Sequence, residues 1–268
     1  MTNRASSSLS RDDLGERAKR FLDAHDRNAP VLLANAWDVP SARAVEAAGF
    51  EFVATSSRAV AQVLGEDDDD SSDPDLIFPF LSRITRAITV PVSADLEAGY
   101  ALAPQDLVSR ILEAGAIGCN LEDTDHHGGG ALLDAEQHAD YLRDVRAASE
   151  RTGIHLVLNA RTDSFLHQVG DEATQLKESI RRGRLYLEAG ADCVYPIAVT
   201  RPDHVATLVA SVPGPLNFLS RRAGLSIDDL TRLGASRISL AAEVFSLVHE
   251  RLAEILSALK RDTSLDNV

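Results

Sequence analysis

Short apolar runs recur along this chain, and most are followed by a segment with helical spacing. Eight runs stand out: Val31–Ala36, Phe52–Ser56, Val90–Asp95, Gly118–Glu122, His155–Arg161, Cys193–Ile197, Pro215–Leu219 and Arg237–Ala241. Near-continuous apolar runs of this length suit strands buried on both faces of a parallel sheet. Helical patterns fill Ser41–Ala48, Pro104–Ala114, Asp134–Arg151, Lys177–Ala189 and Ser226–Leu233. Pro, Asp or Ser opens most of these segments and glycine follows them, which is the expected asymmetry of helix ends. The phrase "helix, Gly, strand" recurs at Ala48-Gly49-Phe50, Ala114-Gly115-Ala116, Ala189-Gly190-Ala191 and Leu233-Gly234-Ala235. It marks an internal repeat of one β-α unit.

Eight such units in about 250 residues predict a (β/α)8 TIM-type barrel. The alternative, an open doubly wound sheet, would want a Gly-rich phosphate turn after the first strand. Here that turn is Asn35-Ala36-Trp37-Asp38-Val39-Pro40, without glycine. Residues 1–28 read as an extension with a leading helix, Leu14–Asp26, and residues 29–260 as one barrel domain. The last helix, Ala241–Lys260, carries an apolar stripe of Val244, Leu247, Val248, Leu252, Ile255, Leu256 and Leu259. That stripe fits packing on its own barrel or, swapped, on a neighbour's, so a homodimer or homotetramer is expected. Residues 261–268 read as a polar tail.

Composition narrows the function classes. The 268 residues are 44% apolar and 25% charged, which fits a soluble globular protein and excludes wholesale disorder. A net charge of −14 argues against nucleic acid as a partner. No apolar run has the length of a membrane span, and Met1–Arg11 lacks the apolar core of a secretory signal. Cys119 and Cys193 sit in apolar stretches and read as reduced core thiols of a cytoplasmic protein.

In a barrel the chemistry sits at the C-terminal strand ends. Those ends carry Asn35 and Asp38, then Ser56, Ser57 and Arg58, then Asp95 and Glu97, then Glu122 and Asp123. The later strands add Asn159, Arg161 and Asp163, then Tyr195, then Asn217 and Ser220. Two carboxylates about 5 Å apart repel by roughly 3 kcal/mol at an effective dielectric near 20. Asp95, Glu97 and Glu122 therefore call for protonation or a cation. All-oxygen donors select Mg²⁺ or Mn²⁺ over Zn²⁺. Arg161 offers a bidentate partner to a substrate carboxylate or phosphonate, with a structural ion pair as the alternative.

Three strings then become recognisable: Pro91-Val92-Ser93-Ala94-Asp95-Leu96-Glu97-Ala98-Gly99-Tyr100, Asn120-Leu121-Glu122-Asp123 and Asn159-Ala160-Arg161-Thr162-Asp163. With Asn35–Arg43 and Thr55-Ser56-Ser57, they resemble the isocitrate lyase/phosphoenolpyruvate mutase superfamily over Pro30 to about Leu252. The resemblance implies a Mg²⁺-dependent enzyme that cleaves or rearranges a C–C or P–C bond beside a 2-oxo acid, through a metal-stabilised enolate. It implies that Asp95 binds the metal directly, that Glu97 and Glu122 hold it through water, and that Asp68 approaches it. It also implies that Ser56 and Ser57 meet the substrate's carboxylate and that Arg161 grips the substrate.

The departures are equally specific. Lyases of this superfamily carry a Lys-Lys-Cys-Gly lid after strand four. Here the stretch is Asp125-His126-His127-Gly128-Gly129-Gly130, and no lysine lies between Lys19 and Lys177. Isocitrate and 2-methylisocitrate are therefore not the expected substrates. His126 and His127 are candidates for acid-base work from a Gly-loosened lid that is open without ligand, or else belong to an exposed loop. The acidic run Glu66–Asp70 reads as a solvated loop, Asp68 excepted. Trp37, Asp38, Tyr195 and Asn217 are candidate substrate contacts, with packing or structural hydrogen bonding as the alternative. A phosphonopyruvate mutase or hydrolase is the second enzymatic reading. A barrel that binds a small carboxylate without turnover is the reading from another class.

Overall fold

The computed structural model describes residues 9–26 and 29–261. The eight runs form eight parallel strands: β1 Val31–Ala36, β2 Val53–Thr55, β3 Val92–Asp95, β4 Gly118–Glu122, β5 Val157–Thr162, β6 Cys193–Pro196, β7 Asn217–Leu219 and β8 Arg237–Ser239. Their order is β6-β5-β4-β3-β2-β1-β8-β7. A parallel bridge between Val194 and Leu216 joins the two ends, so the sheet closes into the expected (β/α)8 barrel. The apolar runs are continuous because each strand is covered by helices outside and by barrel side chains inside.

The helices are α1 Arg11–Asp23, α2 Val39–Ala47, α3 Ser57–Leu64, α4 Pro74–Ala87, α5 Pro104–Ala114, α6 Ala135–Thr152, α7 Glu172–Glu188, α8 Pro202–Ser211, α9 Ile227–Arg232 and α10 Glu243–Arg261. Most boundaries follow local capping chemistry. Asp38, Ser56, Asp134, Asp171 and Ser226 each accept a backbone N–H of the first turn. Gly65, Gly115 and Gly153 close α3, α5 and α6 in the left-handed conformation that glycine adopts without cost.

Three expectations shift. The leading helix runs Arg11–Asp23 rather than Leu14–Asp26, because Ser10 and Asp13 form a capping box that sets its start. Helix α7 starts at Glu172, not Lys177, behind the Asp171 cap. Helix α3 is an unexpected eight-residue insertion directly after β2. The Ser-rich start up to residue 8 and the polar tail from residue 262 lie outside the described residues.

Helix α1 seals one end of the barrel. Leu14, Ala18 and Phe21 pack with Val31, Leu33, Phe52, Ile117 and Val157, which lie at or beside strand starts. This buries the N-terminal end and leaves the C-terminal mouth for chemistry. Gly118 fits the seal: a Cβ there would meet the Val157 carbonyl at 2.8 Å and the Phe21 ring at 3.3 Å. Cys119 and Cys193 are both free and buried, and burial pushes each thiol up to about 12.

Candidate active site

Strand register assembles the mouth. Asp95 on β3 stands opposite Asn120 on β4. Glu122 on β4 stands opposite Arg161 on β5, and Arg161 opposite Tyr195 on β6. Residues far apart in sequence thus form one row.

Asp95 is held from two sides. The backbone N–H and hydroxyl of Ser57 both reach its Oδ2 at 3.1 Å, and the Asn120 amide donates to its Oδ1 at 3.2 Å. Helix α3 makes the first contact possible, because it starts at Ser57 and so leaves the Ser57 N–H without a partner inside the helix, to be met by the carboxylate. Ser56 caps that helix by accepting from the Ala59 N–H at 3.4 Å.

Glu97 lies just beyond β3 with φ 51 and is buried. It accepts the backbone N–H of Asp70. Burial, reinforced by Asp68, Asp70 and Glu122, pushes its carboxyl up to about 8. Glu122 is pushed up to about 7 by burial, against the attraction of Arg161 and the hydrogen bond from His126. Asp68 presents exposed surface, yet it crowds Asp95: partial burial and then the Asp95 charge hold its carboxyl above the usual range.

Arg161 is firmly paired. Its Nε and Nη2 grip Asp163 at 2.6 and 2.8 Å, and its Nη1 meets Glu122. The bidentate edge predicted for a substrate is therefore committed to Asp163. Tyr195 is buried, and among the described residues its hydroxyl has no partner.

The lid differs from expectation. Thr124–Asp125 and Ala131–Leu132 pair as a small antiparallel hairpin, not an open loop. His126 turns in to meet Glu122 Oε1 at 2.6 Å, a bond that holds its imidazole above the ordinary value. His127 meets Asp70 Oδ2 at 3.1 Å while half its side chain stays exposed. Under the hairpin lies a cavity of about 330 Å³, lined by Asp70, Thr124, His126, His127, His138 and Tyr141 among others. A larger cavity, about 1050 Å³, opens among α1, α4, α5 and α6, away from all of these acids. We place the chemistry at the strand ends, where the titratable groups meet.

Sequence reading missed Asp70. It is the buried member of the acidic run, accepting the N–H groups of Ala98 at 3.1 Å and Tyr100 at 2.8 Å. Its neighbours in the run gave no signal to single it out. Three expected contacts are engaged or buried within the protein. Trp37 packs edge-on against Phe245, with ring centroids 5.2 Å apart. Asp38 caps α2, accepting the Ser41 N–H at 2.7 Å. Asn217 begins β7 instead of ending it, so it sits low in the barrel beside Arg237.

Among the described residues no three Asp, Glu, His or Cys side chains are gathered as a ready metal cage. The donor set still fits a hard cation. Magnesium takes one or two carboxylates and keeps several waters. Asp95 keeps lone-pair capacity beyond its three donors, and the raised Glu97 and Glu122 mark a surplus of buried acid that a cation would relieve.

The comparisons place this acid-mouthed parallel barrel among lyases and mutases. The chain belongs to the phosphoenolpyruvate phosphomutase family, whose model matches residues 21–260, and it is an enzyme of that family. A carboxyvinyl-carboxyphosphonate phosphorylmutase of Arabidopsis thaliana is 32% identical over 91% of this chain and 75% of that protein. An oxaloacetate decarboxylase of Pseudomonas putida is 27% identical over 92% of this chain and 82% of that protein. A Burkholderia cenocepacia structure, provisionally described as a phosphonomutase, matches with TM-score 0.85 and 33% identity, covering 90% of this chain and 99% of that one. Among the described residues no helix is long and apolar enough to cross a membrane.

Proposed function

We propose that this enzyme uses Mg²⁺ or Mn²⁺ to cleave or rearrange a C–C or P–C bond beside a 2-oxo acid. The observation that carries the reading is the meeting of Asp95, Glu97, Glu122 and Asp68 beside Arg161 and the start of α3. Asp95 would hold the cation directly, with Glu97, Glu122 and Asp68 around it. A bound cation supplies Lewis-acid stabilisation of negative charge on oxygen.

The chain's own groups share that task. The Ser57 N–H and hydroxyl orient Asp95. Arg161 places a fixed positive charge where an enolate develops. Its Nη1 becomes available to a substrate carboxylate if Glu122 gives way. His126, bonded to Glu122, holds a proton at the lid side of the mouth. We place the enzyme in the cytoplasm on its free buried thiols.

The second reading is a phosphonopyruvate mutase or hydrolase, favoured by the phosphorylmutase relative. Relatives also include 2-methylisocitrate lyases. The lid here has neither the Lys nor the Cys that the superfamily's lyases carry, so we expect no cleavage of isocitrate or 2-methylisocitrate. The test is a panel of oxaloacetate, malate-type acids, phosphonopyruvate and the two tricarboxylates, read by formation of pyruvate, glyoxylate or phosphoenolpyruvate with Mg²⁺ and with chelator. Chelator-sensitive turnover of a 2-oxo acid is the expected result. Tight oxalate binding without any turnover would establish a binding barrel instead, and robust tricarboxylate cleavage would overturn the lid reading.

A further inference from the structure

Below Asp95, inside the barrel, lies a guanidinium that pairs with no acidic side chain among the described residues. Arg237 opens β8 and is fully buried. Its Nη2 donates to Asn120 Oδ1 at 3.1 Å and reaches Ser93 Oγ at 3.5 Å. Its Nε and Nη1 have no partner among the described residues, and its Cζ lies 5.5 Å from the centre of the Phe21 ring. A buried, unpaired cation is costly, and an apolar side chain of similar volume would pack here at no such cost.

Asn120 links this charge to the mouth. Its Nδ2 donates to Asp95 Oδ1, and its Oδ1 also accepts from Asn159 Nδ2 at 2.7 Å. We propose that Arg237 is a positioning residue: acting through the Asn120 amide, it fixes the orientation of Asp95 from beneath. The inference rests on the reading of Asp95 as the carboxylate that holds the cation.

The physical reason is a matter of donors and acceptors. An asparagine amide has nearly the same shape when turned over, so hydrogen bonds alone decide its orientation. Asp95 accepts all three of its protein hydrogen bonds, as a carboxylate that holds a cation must, and Arg237 can only donate. Asn120 stands between them, and both demand the same orientation. Asn159 cannot impose it, since an amide can donate or accept, and its own Oδ1 has no partner. Without Arg237 the two asparagines can turn over together and set Asn120 Oδ1 against Asp95 Oδ1, lone pair against lone pair.

The test uses the full chain and Mn²⁺ as the probe, with calorimetric affinity and melting temperature measured together. In Arg237→Met the affinity falls at least about tenfold, the usual cost of losing a group that orients a metal ligand. The melting temperature stays equal or rises, because an unpaired buried charge has gone. Arg237→Lys keeps a donor and a charge and restores most of the affinity. Asn120→Ala shows the same loss as Arg237→Met, and the double variant is no weaker than either single one. A purely structural role would lower melting and leave affinity alone.

Wild-type affinity within about twofold in a folded Arg237→Met, well short of the usual loss, overturns the proposal. If that variant does not fold, wild-type affinity in Asn120→Ala overturns it instead. Failure of the underlying reading shows separately, as undiminished Mn²⁺ binding by Asp95→Ala.

Discussion

Asp95 receives three hydrogen bonds from protein donors and stands next to Asp68. Asp95→Ala is expected to abolish Mg²⁺ binding and leave the melting profile near wild type. Calorimetry with unchanged binding would remove it from the metal site. Glu97 and Glu122 make a second, pH-dependent expectation. Their carboxyls are raised from 4.5 to about 8 and about 7, chiefly by burial. A raised acid binds its proton more tightly in the folded state, so its stabilisation is full below pH 4.5 and is lost as pH rises through 7 and 8. Metal-free protein should therefore melt at lower temperature at pH 8.5 than at pH 6. Metal ligands must be deprotonated, so Mg²⁺ should bind more tightly over the same rise. Melting curves that do not change with pH, with and without Mg²⁺, would contradict both halves. The sequence made these acids candidates, because charges at strand ends are visible as strings. It could not show that Arg161 is spent on Asp163 and Glu122, because that depends on side-chain placement.

At the level of elements, the caps at Asp134 and Ser226 were readable, whereas those at Ser10, Asp38 and Asp171 were not recognised as helix starts. Helix α3 was not picked out, because only Ser56 separates it from β2 and its apolar residues follow the strand's run with no turn between them. It nevertheless delivers the Ser57 donors to Asp95. The lid hairpin was read as a loosened loop from Gly128, Gly129 and Gly130. The His126–Glu122 and His127–Asp70 contacts hold it down instead. The double variant His126→Ala, His127→Ala should lower turnover by roughly 10²-fold or more if His126 carries a proton in the reaction. Its melting temperature should change little, because His127 is half exposed and the hairpin lies outside the barrel core. Full activity in the double variant would leave the chemistry to Arg161 and the acids.

For the whole molecule, helix α10 poses the open packing question. Leu247, Val248, Leu252 and Leu256 are 40%, 48%, 47% and 57% exposed, while Phe245 alone of its residues is buried. A stripe this apolar on an outer helix fits a second copy of the chain. We expect a homodimer or homotetramer, and Leu252→Glu with Leu256→Glu should reduce it to monomers. Light scattering that gives a monomer mass for the wild type at micromolar concentration would refute this.

Sequence alone determined the barrel, its strand positions and the mouth where acids collect. Periodicity, glycine stops and polar strand ends are local properties, and they act before any packing exists. The tertiary structure decided which of those residues meet. Strand pairing set Asp95 opposite Asn120 and Glu122 opposite Arg161, because register depends on neighbouring strands and not on one strand's composition. It turned Trp37 into packing for Phe245, made Asp38 a helix cap and placed Asn217 low in the barrel. It also buried Arg237 beneath Asp95, a juxtaposition spanning more than half the chain that no local pattern encodes.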